Sequence, residues 1–130
     1  MPLISVVDDD RSVVDAIVSL MESVGYAAKG FVSAEDLLSS PELRCTACLI
    51  VDVRMPGIGG FELQHRLEAE NNRTPIVFMT AHGDSDVSAE ALRRGAVAFL
   101  RKPFSQESLL EAVRSALMQW PGTNPGSATQ

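Results

Sequence analysis

The sequence predicts a doubly wound α/β domain of (βα)5 type, with five strands and five helices alternating around one parallel sheet of order 2-1-3-4-5. Three observations predict it. Short apolar runs recur along the chain at residues 3–7, 48–51 and 76–79, each bounded by polar or turn-forming residues. Between the runs, apolar residues shift to the spacing of an amphipathic helix. Finally, these runs end in chemically capable side chains, Asp8 and Asp9, Asp52, and Thr80, and a later strand, residues 96–100, leads to Lys102. In open parallel sheets, ligands bind beyond the carboxyl ends of the strands.

Taken in order, the first strand (residues 3–7) delivers the chain to Asp8-Asp9-Asp10. Val13, Val14, Ile17, Leu20, Met21 and Val24 then mark a helix, and Gly25 stops it. Residues 27–31 form a short second strand whose Lys29 suggests a sheet edge. Ser33 caps a short helix through Leu37 and Leu38, with Asp36 in the capping-box position, and Pro41 falls just beyond. The third strand spans 48–51. After the loop from Met55 to Gly60, Phe61, Leu63 and Leu67 mark a third helix that Asn71-Asn72 ends.

Pro75 introduces the fourth strand, 76–79, closed by Thr80-Ala81-His82-Gly83. Asp84 or Ser85 caps a fourth helix running to Arg94 and stopping at Gly95. Its apolar face (Val87, Ala91, Leu92) is thin, so it is expected to be the least firmly docked helix. Residues 96–100 form the fifth strand. Ser105 caps the last helix, with Leu109, Leu110, Val113, Leu117 and Trp120 on one face. The three most apolar strands, the first, third and fourth, belong at the centre of the sheet, which the order 2-1-3-4-5 satisfies. Residues 1–120 are thus expected to form one domain. Residues 121–130, rich in Gly, Pro, Ser, Thr and Asn, are expected to be a linker or disordered tail.

Composition narrows the function. With 130 residues, 45% hydrophobic and 22% charged, the chain reads as one soluble globular domain. It has no apolar run long enough for a membrane span and opens on no signal peptide, so a cytoplasmic location is expected. The net charge of −6 and the lack of a basic run argue against direct nucleic-acid contact and favour a cation or a basic partner. Cys45 and Cys48 have the spacing of a redox pair, but nothing of the thioredoxin kind flanks them. They are read as two small, partly buried thiols.

In the predicted fold Asp8, Asp9, Asp52, Thr80 and Lys102 converge. Carboxylates within about 4 Å repel by about 4 kcal/mol per pair at an effective dielectric near 20. Lys102 is one group that can offset this, and a divalent cation is the other. An all-oxygen site of two or three carboxylates suits Mg²⁺. Such a site beside an ammonium suits a dianionic phosphoryl group, and Asp itself can be the nucleophile in phosphoryl transfer.

The stretches Val6-Val7-Asp8-Asp9-Asp10, Asp52-Val53-Arg54-Met55-Pro56-Gly57, Thr80-Ala81 and Lys102-Pro103-Phe104 resemble the signature of response-regulator receiver domains, which have a flavodoxin-like, CheY-like fold. The resemblance runs from about residue 3 to 120. The wording of residues 80–84 and 95–100 is most similar to receivers of the FixJ type.

The resemblance implies that Asp52 is the phosphoacceptor of a bacterial two-component system. Asp8 and Asp9 would hold Mg²⁺ (or Mn²⁺) with Asp52 and the main-chain carbonyl of Arg54, while Asp10 stands outside the metal shell. Lys102 would pair with the phosphoryl group and Thr80 would hydrogen-bond it. Phe99 would change rotamer as Thr80 moves, altering the surface of the fourth helix, fifth strand and fifth helix. The Lys102-Pro103 bond is expected to be cis. Arg54 and His82 occupy positions that vary among receivers and tune the two reactions. The implied partners are a sensor histidine kinase and an output domain or effector protein, with a DNA-binding output leading and a homodimer possible on phosphorylation. A receiver catalyses its own phosphorylation and dephosphorylation and is not a turnover enzyme.

Rival classes fit less well. An Asp-nucleophile phosphatase usually has a second Asp two residues after the first, where this chain has Arg54. A flavin-binding module needs a phosphate loop where three acids stand. A degenerate receiver, acting only as a docking surface, is the remaining alternative.

Overall fold

The computed structural model describes residues 2–81 and 85–119. The elements run β1 (Leu3–Val7), α1 (Arg11–Ser23), β2 (Ala27–Phe31), α2 (Ala34–Leu38), a 3-10 helix (Pro41–Cys45), β3 (Thr46–Asp52), α3 (Gly60–Ala69), β4 (Ile76–Thr80), α4 (Ser85–Arg93), β5 (Ala98–Arg101) and α5 (Gln106–Gln119). The five strands pair in parallel in the order β2-β1-β3-β4-β5, as the alternation and the placement of the apolar runs predict.

The two-residue period of the strands divides the core between the faces of the sheet. Ile4, Val6, Cys48, Ile50, Val77 and Met79 face α1 and α5, where Ile17, Met21, Leu109 and Val113 meet them. Val7, Leu49, Val51, Ile76 and Phe78 face the other way, against Ala34 and Leu37 of α2, Leu63 and Leu67 of α3, and Ala91 of α4. Sheet and helices close tightly at β2. A Cβ on Gly30 would stand 2.2 Å from Val14 Cγ1, so only glycine lets α1 lie this near.

The helix ends follow their sequence signals. Asp10 caps α1, its side chain accepting from the Ser12 amide, and Ser33 caps α2 through the Asp36 amide. Ser105 Oγ accepts from the Ser108 amide at the start of α5. Gly25 (φ 98°) and Gly95 (φ 83°) take the left-handed conformation just past α1 and α4. Lys29 is exposed on the edge strand and pairs with Glu42 at 3.5 Å.

Several details correct the sequence reading. β3 begins at Thr46, two residues before the predicted start, because a buried hydroxyl pair, Ser5 Oγ to Thr46 Oγ1 at 2.7 Å, lets polar residues enter the sheet. The 3-10 helix was not predicted. β5 begins at Ala98 rather than 96, and the Val97 amide instead bonds the Ile76 carbonyl. Leu92, assigned to the inner face of α4, is 59% exposed. The two thiols are not alike. Cys45 is exposed and Cys48 is fully buried, with burial pushing its pKa up to about 12. His82, Asp84, Trp120 and the tail from residue 121 lie outside the described residues, as does the capping of α4.

Candidate functional site

The strand order places a topological switch point between β1 and β3, and the first two acids stand there. Asp8 follows β1 directly and is fully buried. Its amide donates to the Phe31 carbonyl (3.1 Å), and its Oδ1 accepts from the Asp10 amide (2.9 Å), which fixes the carboxylate at the top of the sheet. Asp9 is exposed beside it. Asp52 is the last residue of β3, inside the strand rather than after it, and is 6% exposed. The Arg54 amide donates to Asp52 Oδ1 at 2.9 Å.

Lys102 joins the two halves of the pocket. Its Nζ donates to Asp8 Oδ2 at 2.6 Å and to Asp52 Oδ2 at 2.9 Å, while its amide donates to the Thr80 carbonyl at 2.8 Å. The peptide bond to Pro103 is cis, as anticipated. Burial raises the pKa of Asp52, against the opposing hydrogen bonds from the Arg54 amide and Lys102. For Lys102, burial works against the charge, but the hydrogen bonds to Asp8 and Asp52 prevail and raise its pKa. The ammonium is therefore firmly charged between two buried acids.

One carboxylate oxygen each from Asp8, Asp9 and Asp52 can be chosen so that all lie within 4.8 Å of one another. This donor set fits a hard divalent cation: all are oxygens, and ligand distances of ~2.1 Å need only small side-chain rotations to gather them. Lys102 neutralises one of the three negative charges and leaves a surplus that favours a cation.

The remaining predicted residues are placed less centrally. Thr80 ends β4, fully buried and one residue past Met79, which pairs with Asp52 in the sheet register. Arg54 meets the acids through its main chain, and its side chain is exposed. Phe99 is half-buried in β5 opposite Phe78, in the packing layer below the acids.

Two positioning residues escaped the sequence reading. A Cβ on Gly59 would lie 2.7 Å from the Val53 carbonyl oxygen, and one on Gly60 would lie 2.8 Å from that of Asp52. The loop therefore folds back against β3 in a way only glycine permits. The signal available was the density of Gly57, Gly59 and Gly60 directly after an apolar strand.

Fold and pocket together define a doubly wound α/β domain with an acidic, all-oxygen pocket and one embedded lysine at its switch point. The chain belongs to the response regulator receiver domain family, whose model matches residues 4–114. Among curated relatives, it is 41% identical over 115 residues to the response regulator protein TmoT of Ectopseudomonas mendocina, covering 88% of this chain and 52% of that protein. It is 39% identical over 116 residues to the transcriptional regulatory protein FixJ of Bradyrhizobium diazoefficiens, covering 89% and 57%. Among solved structures, the response regulator StyR superposes with a TM-score of 0.88 at 39% identity, over 99% of this chain and 65% of that one. FixJ-N gives 0.82 at 32% identity, over 92% and 95%. The chain spans about half the length of the curated relatives it matches. It is a receiver domain of two-component signalling, and among the described residues no helix is long and apolar enough to cross a membrane.

Proposed function

We propose that Asp52 accepts a phosphoryl group from the phosphohistidine of a sensor histidine kinase, and that Lys102 and Thr80 bind it there. The observation that carries this reading is the double ion pair of Lys102 with Asp8 and Asp52, beside three carboxylates close enough to share a cation. A carboxylate oxygen of Asp52 attacks phosphorus in line. The P–O bond forms as the P–N bond breaks, and the imidazole nitrogen leaves with the electron pair. The Arg54 amide fixes the plane of the attacking carboxylate. Mg²⁺, held by Asp8, Asp9, Asp52 and the Arg54 main-chain carbonyl, would supply charge neutralisation for the equatorial phosphoryl oxygens.

Lys102 exchanges part of its bonding with the acids for the incoming phosphoryl oxygens, and Thr80 donates its hydroxyl to another. Phosphorylation raises the charge at Asp52 from one negative to about two. Thr80 turning inward vacates volume that Phe99 fills, and the surface of α4, β5 and α5 changes. That surface then addresses an output domain or effector in the cytoplasm. The likeness to FixJ, a transcriptional regulatory protein, makes transcription the first candidate, and pairing of two phosphorylated copies is a further route.

Intact mass after incubation with acetyl phosphate tests the reading. Wild type should gain one phosphoryl group only with Mg²⁺ present, and Asp52→Asn should gain none. A gain in the mutant would move the acceptor elsewhere. No gain in wild type, with Mg²⁺ bound, would turn the reading toward a docking-only module.

A further inference from the structure

The end of α4 is fastened to α3 through Arg94. The Arg94 carbonyl accepts from Gln64 Nε2 at 2.8 Å, so a side chain of α3 satisfies a carbonyl just past the end of α4, where helix carbonyls lack partners of their own. Gln64 is only 5% exposed, and its Oε1 has no hydrogen-bond partner among the described residues. An amide half satisfied in a core is unfavourable as packing alone. On its other side, the Arg94 guanidinium carbon lies 4.9 Å from the centroid of the Phe61 ring, and Nε donates to Glu90 Oε2 at 2.6 Å.

Phe61, in the first turn of α3, meets Phe78 edge to face, centroids 5.0 Å apart at 75°. Phe78 closes the path to the acid. A Cβ on Gly60 would stand 3.1 Å from Phe78 Cε1 and 2.8 Å from the Asp52 carbonyl oxygen. Arg94, Phe61, Phe78, Gly60 and the Asp52 backbone thus form a continuous packed line from the end of α4 to the acceptor strand.

We propose that Arg94 is a positioning residue: with Gln64 and Phe61 it clamps the C-terminal end of α4 to α3, making that end the pivot of α4 and holding Asp52 in its unphosphorylated arrangement. This rests on Asp52 being the acceptor. The clamp belongs to the seat of α4 in which Lys102 is divided between Asp8 and Asp52. If phosphorylation moves α4, linkage requires that loosening α4 favours phosphorylation. A line of contacts by itself transmits nothing, and the two-state element is α4.

The test uses Arg94→Met, Gln64→Leu, Phe61→Leu, the pair Phe61→Leu/Arg94→Met, and the conservative Arg94→Lys. Three quantities are read: the rate of Mg²⁺-dependent mass gain from acetyl phosphate, amide exchange over residues 85–94, and the thermal midpoint. Arg94→Met and Gln64→Leu should each speed phosphorylation by about threefold or more, with faster exchange in α4 and unchanged exchange in β3. Arg94→Lys should stay near wild type, because it keeps a cation over Phe61. The pair should exceed its larger single by little, since both changes cut one contact.

Faster exchange in α4 with an unchanged phosphorylation rate would overturn the coupling. Unchanged exchange would overturn the clamp itself. If wild type takes no phosphoryl group, the reading of Asp52 fails and the coupling fails with it. The anchoring of α4 is then decided by exchange alone, which tells the two failures apart.

Discussion

Strands β3 and β5 lie two places apart in one sheet, yet they are differently built. All seven residues of β3 are buried, whereas the four of β5 are half-buried or exposed. β3 has a strand on each side and helices over both faces; β5 is an edge with one neighbour. Asp52 rides on the first and Lys102 follows the second. The pocket therefore joins a firmly packed half to a compliant half through a single ammonium. In the proposed reaction the nucleophile sits on the firm side, and the elements proposed to move sit on the other.

The contrast can be broken most directly in its packing. Phe78 and Phe99 are cross-strand partners in register, one fully buried and one half-buried. Phe78→Ala should cost about 3–5 kcal/mol of stability, and Phe99→Ala distinctly less, as measured by urea unfolding. Equal costs would mean that β5 is as tightly held as the centre of the sheet.

A smaller effect is expected from the charges that bridge the halves. Burial holds the folded pKa of Asp52 above the ordinary 3.8. Stability from this group is thus full below about pH 3.8 and is lost as pH rises through the folded value. Asp52→Asn should raise the unfolding midpoint by a few degrees at pH 7, with no gain below pH 3.8. Lys102 is shifted upward from 10.5, so its contribution is present at neutral pH and is lost as pH rises through its folded pKa. A lower midpoint for Asp52→Asn at pH 7 would mean that the ion pair to Lys102 outweighs the burial of the acid.

The smallest effect on stability should come from Arg54→Ala. The side chain is exposed and the main-chain amide holds Asp52, so the change should stay within about 0.5 kcal/mol. It should nonetheless alter the rate of phosphoryl loss if, as the proposed reaction implies, a cation here attracts the donor and crowds the attacking water. Unchanged rates of gain and loss would remove the side chain from the pocket.

The order of the sheet and the gathering of Asp8, Asp9, Asp52 and Lys102 were legible because both follow from local pattern. A period of two or 3.6 fixes an element, and the residue after a parallel strand lands on a known edge. What periodicity cannot carry is which face of a helix finds a partner. Leu92 shares the helical period of Ala91 and Val87 but points outward. Gln64 is not among the apolar positions that mark α3, yet it is buried, its amide donating to the end of another helix 30 residues on. Thr46 looks like a loop residue until Ser5, 41 residues away, supplies the hydroxyl that admits it to the sheet. Gly59 and Gly60 are defined by atoms that a sequence does not bring together until the loop folds back on β3.

The edge at β2 has a consequence for how these molecules behave when crowded. An unpaired strand edge is a template on which a second molecule can extend the sheet. Here Lys29 stands exposed in the middle of that edge, held by Glu42 from the 3-10 helix. An arriving strand would have to part this pair and bury an ammonium in forming its ladder. Even at high local concentration, copies of the domain are therefore disfavoured from extending one another's sheets at β2.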